Sequence, residues 1–251
     1  MTLIVGYIDG DDIHIVSDTL VTWDDGQVRE PDDHTIPKIA ILRPDLAVAL
    51  SGTEPDARLR DLAYYRDYPL DELLASLRED TWAGFIVAAL NPPRLWSVYD
   101  GMVYQRTNRC IAWDGDEDAY KIFADRFATD WIGTTCESDI GFRVMTSMQA
   151  LTSFPRVATV GGLSLRAASD ANGFHFVADR TTVFLGPSWY VMPGEDPTRG
   201  ALGVFMQTSG IGRLYTHQDP DAAILIAASS PAEFITKAQR THGQVLAHPG
   251  A

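Results

Sequence analysis

The sequence predicts an α+β fold in which two antiparallel sheets pack on one another with helical layers outside. Three observations predict it. Apolar runs punctuated by tight-turn residues open the chain, the apolar spacing then switches to a helical period, and strand-like runs return before two more helical stretches and a further hairpin. With 251 residues and 45% hydrophobic content, the chain can bury roughly three quarters of its unfolded surface. It therefore reads as an ordinary globular protein.

Taken in order, TLIVGYID and DIHIVSDTL flank GDD and read as a hairpin, and KIAILRPDLAVALSG repeats the pattern with RPD as its turn. EPDARLRDLAYYRD and LDELLASLRED then place Leu59, Leu62, Leu70, Leu73, Leu74 and Leu77 at helical spacings, as one amphipathic helix or as two broken near Pro69. GFIVAAL, PRLWSVYD and MVYQRTN return to strand character around the turns NPP and DG. DEDAYKIFADRFATDW and ESDIGFRVMTSMQALTS read as two helices, and GGLSLRAAS with FHFVADRT as a hairpin turned at DANG. From about Leu185 onward the pattern is less legible: GPSWYVMPGEDPTRGALG is rich in Gly and Pro, DAAILIAASS fits strand or helix, and PAEFITKAQRTHGQV looks helical. The expected organisation is one domain over residues 1–178 and a C-terminal extension over 179–251 packed on it.

Charge and composition remove several function classes. Thirty-four acidic against 20 basic residues, a net charge of -14, argue against a nucleic-acid partner, because binding to phosphate backbones rests on clustered Lys and Arg. No run approaches the 18 apolar residues of a membrane span, and no signal peptide is expected at the start. Cys110 and Cys136 stand far apart without paired spacing, which fits a reducing cytoplasm. His14, His34, His175, His217, His242 and His248 show no paired ligand spacing, so no metal is expected, and His14 and His175 fall inside strand patterns as structural residues. SGIG and VGG lack the GxGxxG or Walker arrangement, and GxSxG is absent, so neither a nucleotide cofactor nor a serine-hydrolase elbow is expected.

The abrupt start of the first strand suggests a chemistry. Removal of Met1, routine before a small residue, would give Thr2 a free α-amine beside its hydroxyl, a nucleophile and a base in one residue. The amine's reference pKa of about 7.7 to 8.0 already lies in a useful range. Asp18 follows Thr2 by sixteen residues, Lys38 lies in IPKIAIL, and Gly52 follows Lys38 by fourteen. This pattern resembles the proteasome β-subunit family, including the HslV-type peptidases, which are N-terminal-nucleophile hydrolases.

The resemblance covers roughly residues 2–178, with about four extra residues within TWDDGQVREPDDH, and it implies a four-layer αββα sandwich. It also implies roles: Thr2 as nucleophile, Lys38 lowering the hydroxyl pKa, Asp18 bonded to that lysine, and Gly52 donating a backbone N–H to an oxyanion at the head of the first helix. The family's helper serine would fall within WDGDED, where Asp114 or Gly115 stands instead. Asp114 becomes the candidate auxiliary, although a carboxylate beside the amine would raise the amine's pKa. The later aspartate and serine before the glycine pair are also missing; RVATV precedes Gly161, and Thr159 is the nearby hydroxyl. The expected function is a threonine peptidase or amidase working through an acyl-enzyme ester on a peptide or amide substrate. A catalytically silent ring or scaffold subunit and a small-molecule amidase are the alternatives. The resemblance further implies a homo-oligomer, as ring or stack, and an ATP-dependent unfoldase partner. Tyr64, Tyr65 and Phe127 are expected as exposed apolar residues for such contacts.

Overall fold

The computed structural model describes residues 2–22, 35–129, 139–153, 157–177, 182–185, 201–216 and 222–246. Met1, residues 23–34 of the stretch expected to hold the extra residues (His34 among them), Cys136, His217 and His248 lie outside the described residues.

The opening hairpin forms as expected. β1 (Leu3–Asp9) and β2 (Asp12–Ser17) pair antiparallel, with Asp9 opposite Asp12, around a two-residue turn at Gly10 and Asp11. The next hairpin is β3 (Ile39–Arg43) with β4 (Leu46–Gly52). The helical stretch divides into α1 (Pro55–Tyr64) and α2 (Leu70–Arg78), with Pro69 at the N-cap of the second. Proline fixes its own φ and disfavours a helical residue before it, so the break falls there. β5 (Ala83–Ala89), β6 (Arg94–Tyr99) and β7 (Met102–Gln105) form a meander, and β8 (Ile111–Gly115) leads into α3 (Glu117–Thr129). α4 (Ile140–Ser153) and the hairpin of β9 (Leu165–Asp170) and β10 (Gly173–Phe176) follow.

One sheet has the order β10-β9-β2-β1-β8 and another the order β3-β4-β5-β6-β7, with every pairing antiparallel. Strand alternation decides what each face buries. Leu3 and Val5 of β1 join Phe123 of α3 and Val144 and Met148 of α4 in one cluster. Ile4 and Ile8, pointing the other way, join Ile86 and Leu95 of the second sheet, and the same cluster takes in Leu59, Leu62, Leu73 and Leu77 from α1 and α2.

A third sheet departs from the sequence expectation of two. β11 (Thr182–Leu185), β12 (Ala201–Met206), β13 (Ile211–Thr216) and β14 (Ile224–Ala227) pair in that order, and α5 (Pro231–His242) packs on them. These strands are four to six residues long, and β12 and β13 are interrupted by Gly203 and Gly212, which weakens the two-residue periodicity. Leu202, Val204 and Tyr215 of this sheet belong to the same cluster as the main core.

Two surface expectations need correction. Tyr64 is exposed, but Tyr65 packs against the main core. Phe127 is partly buried because it lies one helical turn beyond Phe123 on the same face of α3, where the Arg143 guanidinium sits 4.5 Å from its ring.

Candidate active site

Thr2 precedes β1, Asp18 follows β2, and Lys38 precedes β3; all three are buried. The pairing of β1 with β2 brings Asp18 back beside Thr2, with the Asp18 N–H donating to the Leu3 carbonyl at 3.3 Å. The Thr2 hydroxyl donates to Asp18 Oδ1 and accepts from Lys38 Nζ. Lys38 Nζ also donates to Asp18 Oδ1 at 3.0 Å and to the Leu20 carbonyl at 2.5 Å. All three ammonium protons thus have acceptors. Asp18 also accepts the Leu3 N–H on Oδ1 and the Gly161 N–H on Oδ2, each at 3.2 Å. A carboxylate so fully bonded compensates the burial of its lysine partner. Burial pushes the Lys38 ammonium below the ordinary lysine range, with the charge of Asp18 and its hydrogen bond pulling the other way.

Gly52 ends β4 at φ +113, just before α1, and a Cβ there would lie 2.4 Å from the Trp82 carbonyl oxygen. Only glycine passes both constraints. Thr2, Lys38, Ser51, Gly52, Trp82 and Asp114 line one cavity of about 850 Å³. That volume suits a small ligand or a short stretch of chain.

Asp114 also reaches this cavity. Ile4 pairs with Asp114 and Leu3 with Gly115, which places Asp114 diagonally across from Thr2 on the face turned to the second sheet. Its Oδ2 accepts from the Ser51 hydroxyl, and the space it fills is left by Gly84, where a Cβ would collide with the carboxylate. Burial raises the Asp114 carboxyl above its ordinary range; the Ser51 bond opposes this and nearby Asp100 adds to it.

Asp116 was not singled out by the sequence, yet it ties the site together. Its N–H donates to the Thr2 carbonyl at 2.7 Å. Its Oδ1 accepts the N–H groups of Asp118 and Ala119 at 3.0 Å each, capping α3, and its Oδ2 accepts the Thr159 hydroxyl at 2.6 Å. Burial would raise its carboxyl, but the bonds from Thr159, Ala119 and Asp118 and the amino-terminal charge hold it below the usual range. An aspartate directly before a helical pattern is an N-cap signal, and it was readable in DGDED. Ser51 had no such signal, since its partner lies 63 residues away.

Among the described residues no group of three or more His, Cys, Asp or Glu could hold a metal ion, and no helix is long and apolar enough to cross a membrane. His14 is buried in β2, where burial and the charge of Arg166 lower its pKa, and His175 lies in β10.

The architecture is an α+β fold built on antiparallel sheets. In particular, the fold is similar to that of eukaryotic HslV from Trypanosoma brucei, with a TM-score of 0.51 and 15% sequence identity over 67% of this chain and 99% of that one. No family model matches the sequence, and no curated protein matches it.

Proposed function

We propose that the protein is an N-terminal threonine hydrolase of amide bonds, acting on a peptide or a smaller amide. The observation that carries this reading is the Thr2 hydroxyl held between Lys38 Nζ and Asp18 Oδ1 at the wall of a cavity. With Met1 removed, the Thr2 amine takes the hydroxyl proton and the oxygen attacks the substrate carbonyl carbon. Lys38 favours the oxyanion form of Thr2, and the Gly52 N–H stabilises the oxygen of the tetrahedral intermediate. The proton passes to the leaving amine as the C–N bond breaks, which leaves an ester on Thr2. Water, deprotonated by the same amine, then hydrolyses the ester. Asp18 and Asp116 act as positioning residues through their bonds to Lys38 and to the Thr2 backbone.

A second reading, a catalytically silent ring or scaffold subunit, is favoured by one observation. The Thr159 hydroxyl, nearest the missing family residues, is engaged by Asp116. One experiment separates the two: intact-mass analysis after treatment with an electrophile selective for N-terminal threonine. The hydrolase reading expects a chain lacking Met1 that carries one adduct, and a Thr2→Ala protein that takes no adduct and hydrolyses no amide. Retained Met1 and no adduct would establish the silent subunit.

The packing of α3 and α4, two facing sheets, and α1 and α2 supports a four-layer αββα arrangement over residues 1–178, with 179–251 as an extension packed on it. By the resemblance read in the sequence, we further propose a homo-oligomer that works in the cytoplasm with an ATP-dependent unfoldase. Light scattering at micromolar concentration should give the mass of at least six subunits; a clean monomer would favour the small-molecule amidase.

A further inference from the structure

A second cavity, of about 420 Å³, opens beside the first, and both are lined by Tyr99, Asp114 and Gly115. Thr2 lines only the first of the two. The second is also lined by Ser97, Arg106, Trp113 and Tyr120.

Arg106 lies just beyond β7 and is held by neutral groups. Its Nε donates to Ser97 Oγ at 3.4 Å, its Nη2 to the Tyr99 hydroxyl at 3.2 Å, and its guanidinium carbon sits 5.0 Å from the centre of the Tyr104 ring. Among the described residues no carboxylate pairs with it, although the chain carries 34 acidic residues against 20 basic ones. Two of the five N–H donors of a guanidinium are thus used, and those left at the outer nitrogens form the fork that matches a carboxylate. The same cavity is lined by the Trp113 and Tyr120 rings, which stack 4.1 Å apart at an interplanar angle of 7°.

We propose that this second cavity is a carboxylate subsite, in which Arg106 receives the C-terminal carboxylate of a peptide and Trp113 with Tyr120 face an aromatic terminal side chain. Resting on the threonine-hydrolase reading, this makes the leaving group a short C-terminal piece of a peptide. The carbonyl carbon stays on Thr2, and the released piece carries away the proton on its new amine and its original carboxylate.

The test is isothermal titration in a Thr2→Ala background, so that binding is read without turnover. The probes are a short peptide ending in phenylalanine with a free carboxylate and the same peptide as its C-terminal carboxamide. The carboxylate form should bind at least about tenfold more tightly, as a charge-assisted pair implies. Arg106→Gln should erase that preference, with an unchanged melting temperature showing that the variant is folded, and Arg106→Lys should keep part of it. Equal binding of the two peptides, or a preference that survives in Arg106→Gln, overturns the proposal. So does an Arg106→Gln change in light-scattering mass without a change in affinity, because Arg106 would then serve a subunit contact. An Arg106-dependent preference in a protein whose wild type hydrolyses no amide would leave the subsite standing and remove the hydrolase reading instead.

Discussion

Asp114 occupies an unusual position for a carboxyl group: it lies between two sheets, accepts one hydroxyl bond from Ser51, and is close enough to Asp100 to feel its charge. Burial and Asp100 both favour its protonated form, so its folded-state pKa lies above the ordinary 3.8. The native state then binds more protons than the unfolded chain in the window from 3.8 up to the raised value, and stability falls as pH rises through that window. Asp114→Asn can still accept from Ser51 but does not titrate. Its melting temperature should therefore gain on the wild type as pH moves from about 4 toward neutrality, measured by thermal unfolding across that range. A difference constant with pH would mean that Asp114 is not held above its ordinary range. At this scale the sequence was legible where one strand pairing brings residues together. The offset from Thr2 to Asp18 is set by a hairpin with a two-residue turn, so counting along the chain was enough. The partnership of Asp114 with Ser51 depends on how two sheets face each other, and a local pattern holds no record of that.

The junction of β4 with α1 shows how an element imposes its own residue. Gly52 sits at φ +113, and a Cβ would lie 2.4 Å from the Trp82 carbonyl oxygen and 2.8 Å from Ala83 Cα, both backbone atoms with little freedom to move. Gly10, in the β1–β2 turn, has φ +60 but nothing within 4 Å of the same added atom. The pair separates conformational strain from collision. Gly10→Ala should cost about 1 kcal/mol of unfolding free energy in a urea titration, the usual cost of a left-handed residue with a side chain. Gly52→Ala should cost about 2 kcal/mol more, since the strand end must shift as well. It should also lower amide hydrolysis, because the Gly52 N–H would move. Equal costs would show that β5 can yield. Elements that are apolar runs bounded by clear turn residues, or whose apolar residues recur at the helical period, were readable, as in the first two hairpins and in α2. Those of the C-terminal sheet were not. Its strands are short, and ILIA fits strand or helix equally until β13 is there to pair with it.

Across the whole molecule, the question is whether the C-terminal sheet is a separate unit or part of the same fold. Tyr215 of β13 is fully buried, its hydroxyl pushed up to about 12 mainly by burial, and it shares a bond of 2.8 Å with Thr35 Oγ1 across 180 residues of chain. Its ring lies in the cluster that also holds Ile36, Ile39 and Leu50, so a residue of the extension fills space in the main core. Loss of such a ring leaves a cavity, which typically costs about 3–5 kcal/mol, whereas loss of the hydroxyl alone leaves Thr35 short of one partner, at about 1–2 kcal/mol. If residues 179–251 are integral, calorimetry should show one cooperative transition for the wild type. Tyr215→Phe and then Tyr215→Ala should move that single transition downward by increasing amounts. Two transitions, with only one of them sensitive to Tyr215, would mark the C-terminal sheet as an independent unit. The buried contact between Thr35 and Tyr215 argues for the single transition, because the C-terminal sheet cannot separate from the main core without withdrawing the Tyr215 ring from the space that Ile36, Ile39 and Leu50 enclose with it.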